Sequence, residues 1–123
     1  MAEILLVDDD DVVRETFGWI LRNAGHIVTT AANGNEAMCL VQDNAFVLVI
    51  IDLVMPEKEG VETIMELRRT NPTLKIIAIS GGGLLSAPEN YLGLARELGA
   101  TQVLAKPFSG EELLAAVDSV LSL

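Results

Sequence analysis

Hydrophobic positions along the chain fall into two alternating patterns. Short β-branched, apolar runs predict strands at Glu3 to Asp8, Ile27 to Ala31, Phe46 to Asp52, Leu74 to Ser80 and Thr101 to Ala105. The third and fourth are apolar on both faces, as strands covered by helices on each side must be. Between and after them the spacing turns helical. Val13, Phe17, Ile20, Leu21 and Ala24 form one stripe, closed by Gly25 as a C-terminal stop. A second helix opens at Asn33 with Glu36 three residues on, and a fifth at Ser109 with Glu112, both at capping-box spacing. A third carries Val61, Ile64 and Met65 inward and stops before Asn71-Pro72, and a fourth carries Tyr91, Leu94, Ala95 and Leu98 up to Gly99. The fifth turns Leu113, Val117, Val120 and Leu121 inward. The sum is an α/β protein of (βα)5 type, a doubly wound, five-stranded parallel sheet whose strand C-termini share one edge.

Composition narrows the functional classes. The 123 residues suit one domain, 1–123, and half of them are hydrophobic, enough for a two-faced core. A net charge of -10 opposes direct nucleic-acid binding and attraction to anionic membranes. The apolar runs at 4–7 and 47–51 are too short to span a bilayer and no signal peptide opens the chain, so no membrane insertion is expected and the location reads as cytoplasmic. The single Cys39 has no Cys or His at metal-ligand spacing and reads as a buried helix thiol. Trp19 and Phe17 read as packing residues, and His26 as a surface residue away from the active edge.

Ligands of open α/β sheets bind beyond the strand C-termini, so the residues closing each strand are where chemistry is sought. Here they are Asp8-Asp9-Asp10-Asp11, Asp52, Ser80 and Lys106. Singly, each has an ordinary explanation: a solvated helix N-terminus, a turn residue, a loop hydroxyl, a surface ammonium. Together they place several carboxylates where ionising all of them is costly without a cation. Mg²⁺ takes oxygen ligands from one or two carboxylates, a carbonyl and a phosphate, while Lys106 and Ser80 supply a point charge and a hydroxyl donor for a transferring phosphoryl group.

These motifs resemble the response-regulator receiver family over essentially the whole chain, through ILLVDDD at 4–10, VIIDLVMPEKEG at 49–60, IIAISG at 76–81 and VLAKPF at 103–108. Asp52, Met55, Pro56, Gly60 and the Lys106-Pro107 pair stand in the family's order and spacing. The resemblance implies a flavodoxin-like strand order, 2-1-3-4-5, with Asp52 as phosphoacceptor. It implies Asp9 as a direct Mg²⁺ ligand, Asp8 as a ligand through water, and the Val54 carbonyl as a further ligand. It also implies a cis Lys106-Pro107 bond that aims the ammonium. The implied donor is a phosphohistidine on a histidine kinase or histidine phosphotransfer protein, with the output partner unknown. The domain assists its own phosphorylation but is a signalling phosphoacceptor, not an enzyme.

The sequence departs from the family at Val103, where an aromatic residue usually turns inward on phosphorylation. Val is too small and too stiff at χ1 to carry that signal, so the switch is expected to be read through the loop after the fourth strand, which holds Gly81-Gly82-Gly83. Phe108 resembles the apolar rim that docks kinases. Two other classes share parts of the pattern. A flavodoxin-like binding module wants a hydroxyl- and glycine-rich anion loop where this chain has four aspartates, and an aspartate-nucleophile phosphatase wants an acid at Val54. A non-phosphorylated structural receiver is the third alternative, although here all the site residues are kept.

Overall fold

The structure is a computed structural model and describes residues 2–53, 60–80, 97 and 99–123. Five strands, β1 (Glu3–Val7), β2 (Ile27–Ala31), β3 (Leu48–Asp52), β4 (Lys75–Ser80) and β5 (Gln102–Ala105), form one parallel sheet in the order β2-β1-β3-β4-β5. The described helices are α1 (Asp11–Asn23), α2 (Gly34–Asp43), α3 (Gly60–Thr70) and α4 (Gly110–Leu121). The predicted strands hold to within two residues at either end. The helix predicted over Tyr91 to Leu98 lies, apart from Glu97, outside the described residues, but Gly99 has the positive φ of 86° suited to a helix stop.

The period of two along each strand divides the core. Leu5, Val7, Val49, Ile51, Ile76 and Ala78 face Ala37 of α2 and Ile64 and Leu67 of α3. Ile4, Leu6, Leu48, Ile50, Ile77 and Ile79 face Leu21 of α1 and Leu113, Val117 and Val120 of α4. Every residue of β3 is buried, which is why its sequence reads as a continuous apolar run. Each of these Leu and Ile side chains contributes roughly 2–3 kcal/mol on leaving water, so the middle of the sheet holds its strand ends firmly.

Helix starts follow the sequence closely. Asp10 caps α1, its side chain accepting from the Val12 and Val13 N–H groups. Ser109 and Glu112 form the predicted reciprocal capping box of α4. At α2 Asn33 accepts from the Glu36 N–H, but Glu36 reaches back to the N–H of Ala32 instead of Asn33. Four side chains depart from expectation. Met65 is 55% exposed and Trp19 67% exposed, while Cys39 is exposed and Ala24, which terminates α1, is exposed too. In α3 the buried stripe is Gly60, Thr63, Ile64 and Leu67, so the helix is rotated from the Val61-Ile64-Met65 setting and buries the polar Thr63 fully. Cys39 follows Ala37 and Met38 in a helix apolar over several consecutive positions, where hydrophobicity alone does not set the phase. His26 lies between α1 and β2, half-buried, and its Nδ1 accepts from the Ala2 N–H at 3.3 Å.

Candidate phosphoryl and metal site

Register places the strand ends as a staircase. Val7 pairs with Ile51, so Asp8 and Asp52 stand level; Asp52 pairs with Ile79, so Ser80 lies one residue higher; Ser80 pairs with Ala105, so Lys106 lies one higher again. Each step is about 3.3 Å. The Lys106 main chain is held in place by its N–H donating to the Ser80 carbonyl at 2.8 Å, and its long side chain reaches back down to put Nζ 3.1 Å from Asp52 Oδ2. Asp8, Asp52 and Lys106 continue the strand parity of the α1/α4 face, and Ser80 that of the α2/α3 face.

Asp8 is fully buried and Asp52 nearly so, at 6% exposure, while Asp9 is exposed. The Asp8 N–H donates to the Ala31 carbonyl at 3.1 Å and its Oδ1 accepts from the Asp10 N–H at 2.9 Å. Its Oδ2 is buried with no hydrogen-bond partner among the described residues; Lys106 Nζ stands 3.7 Å away, at ion-pair range only. Burial pushes the Asp8 carboxyl up from 3.8 to about 6. The Asp10 N–H opposes that rise, the charge of Asp52 adds to it, Lys106 opposes it, and Asp9 adds to it. Burial by itself would lower the Lys106 ammonium, but its hydrogen bond to Asp52 and the charges of Asp52, Asp8 and Asp10 outweigh this and raise it.

Carboxylate oxygens of Asp8, Asp9 and Asp52 lie within 4.8 Å of one another, a group able to hold a metal ion. The fit is to a hard divalent cation: the donors are all oxygen, and one of them is a buried oxygen with an unused lone pair. Ser80 is buried, and the Lys106–Pro107 peptide bond is cis. Val54, Met55 and Pro56, and the loop from Gly81, lie outside the described residues. Gly60 opens α3 directly behind the site; a Cβ there would run into the carbonyl oxygen of Asp52, so only glycine allows the helix this close. Val103 is half-buried against the α2/α3 side of the core, and Phe108 stacks on Phe17 with ring centroids 5.0 Å apart.

One residue in contact with the acidic loop is not distinguished by the sequence. Arg14 of α1 donates from Nη1 to the Asp8 carbonyl at 2.6 Å and from Nη2 to the Asp11 carboxylate. Its one sequence signal is its position three residues after Asp11, a spacing common on solvated helices.

The response regulator receiver domain model matches residues 4–118. The chain belongs to that family. As a receiver domain it is 38% identical over 121 residues to the transcriptional regulatory protein CpxR of Klebsiella pneumoniae, covering 98% of this chain and 50% of that protein. It is 38% identical over 120 residues to the response regulator MprA of a Mycobacterium species, again covering 98% and 50%. The receiver thus spans about half the length of these curated relatives. Among solved structures, the chemotaxis response regulator CheY4 of Vibrio cholerae superposes with a TM-score of 0.87 at 33% identity, covering 98% of both chains. The receiver domain of the Francisella response regulator 1452 gives 0.87 at 28% identity, covering 98% of this chain and 96% of that one. Receivers of this family serve two-component signalling, which implies a histidine kinase partner. Among the described residues no helix is long and apolar enough to cross a membrane.

Proposed function

We propose that this receiver, as one domain over residues 1–123, takes a phosphoryl group onto Asp52 from a phosphohistidine of a histidine kinase or histidine phosphotransfer protein. The observation that carries the reading is the approach of the Lys106 ammonium to Asp52 Oδ2, beside a buried Asp8 oxygen without a hydrogen-bond partner among the described residues. An Asp52 oxygen attacks phosphorus as the nitrogen–phosphorus bond of the donor breaks, leaving an acyl phosphate on the receiver and a free imidazole on the donor. Lys106 neutralises charge on the phosphoryl oxygens, and Ser80 supplies a hydroxyl donor to them. Asp8, Asp9 and Asp52 would hold Mg²⁺, Asp8 through water, with the Val54 carbonyl as a further ligand. When bound, that ion supplies charge neutralisation and orientation for the phosphoryl oxygens.

The positions two beyond Asp52 and Ser80 are Val54 and Gly82, and neither has a side chain able to orient water, so self-hydrolysis is slow. The signal passes to an output partner through the segment after β4, because Val103 is too small for an aromatic readout. The setting is cytoplasmic, without direct contact to nucleic acid. Incubation with Mg²⁺ and a small acyl phosphate labels the native chain and not Asp52→Asn, and chelation abolishes the label. Labelling of the variant at this site would overturn the assignment, and decay within seconds would overturn the slow hydrolysis.

A further inference from the structure

The peptide between Asp8 and Asp9 carries both carboxylates at the end of β1, so its orientation decides where they point. The preceding Val7–Asp8 peptide is held by the Asp8 N–H on the Ala31 carbonyl, and the Asp8 side chain is held by the Asp10 N–H. The carbonyl of the Asp8–Asp9 peptide itself accepts from Arg14, whose side chain is only 18% exposed and which also pairs with Asp11. Arg14 is therefore a fork with one tine on the metal-ligand loop and one on the first turn of α1. That places the loop relative to a helix which is itself packed on the core through Leu21.

We propose that Arg14 is a positioning residue for the divalent cation: it tightens cation binding by fixing the Asp8-Asp9 peptide, although its own charge is of the wrong sign to attract a cation. The two effects pull in opposite directions, which makes the sign of the change decisive. Loss of a nearby positive charge, acting alone, would strengthen binding. Loss of an outer partner that orients the ligands weakens it, by about tenfold or more where such partners have been removed from metal sites.

The inference rests on the divalent-cation reading of the strand-end site, and calorimetric titration of the whole chain with Mg²⁺ separates the two. The native chain should bind Mg²⁺, Arg14→Ala should bind about tenfold more weakly, and Arg14→Lys should fall between. Lys keeps the charge but offers no planar fork to reach both oxygens. At saturating Mg²⁺ the labelling rate of Arg14→Ala should return close to the native rate, and its circular dichroism without Mg²⁺ should match the native chain, which a general loss of folding would not allow. Equal or tighter Mg²⁺ binding by Arg14→Ala overturns the role of Arg14 while leaving the cation site standing. No Mg²⁺ binding by the native chain overturns both. Should Arg14→Ala fail to fold, Arg14→Lys decides, because native affinity in that variant would show that charge suffices.

Discussion

Asp8 is asked to hold a charge where water cannot reach it. Its carboxyl titrates near 6 in the folded chain against 3.8 when free, so folding favours the protonated form. Its contribution to stability is therefore full below about 3.8 and is lost as pH rises through about 6. With metal removed by a chelator, Asp8→Asn should be more stable than the native chain by roughly 2 kcal/mol at neutral pH, and the advantage should disappear in acid. Urea unfolding at a series of pH values measures this. In excess Mg²⁺ the proposed role of Asp8 at the cation predicts the reverse order, since the variant lacks the carboxylate charge.

That burial is also where the sequence was least informative at this scale. Asp8 and Asp9 are identical in type and adjacent, yet one is fully buried and the other exposed, a difference set by the end of β1 and not by either residue. Arg14 was equally opaque, because its partner is a backbone carbonyl six positions away and no side-chain pattern encodes that contact.

At the scale of elements, the caps carried the most information. Ser109 and Glu112 satisfy two orphan N–H groups of α4, and the pair can be read from two letters three apart. Ser109→Ala should cost about 1 kcal/mol in denaturant unfolding. It should leave Mg²⁺ affinity unchanged, because the cap is built from α4 alone. Strands were legible from their β-branched runs for the same reason: the information is local. Helix rotation was not. Thr63 is polar and fully buried while Met65 is apolar and exposed, so the facing of α3 is decided by its close approach to Asp52 at Gly60, a contact between distant parts of the chain.

For the molecule as a whole the net charge is -10, and the four consecutive aspartates after β1 set the densest run of negative charge in the sequence at the strand-end site. A cation bound there stabilises the fold by mass action, about 2.7 kcal/mol at a concentration one hundred times the dissociation constant. Mg²⁺ should therefore raise the melting temperature of the native chain, and it should do so much less for Asp8→Asn or Asp52→Asn. The overall architecture needed no contact information: alternation of two hydrophobic periods specifies the layers, and parallel strands bring their C-termini together. What alternation does not specify is the stagger that carries Lys106 two residues above Asp52.

The stagger has a kinetic meaning. Lys106 reaches Asp52 across β4 only if β3, β4 and β5 all pair in their native register, and a slip of β3 by one residue would turn Asp52 to the opposite face of the sheet. A misaligned chain offers the same aspartate without the ammonium and the acidic pair beside it, and under the proposed function it should be labelled far more slowly by a small acyl phosphate.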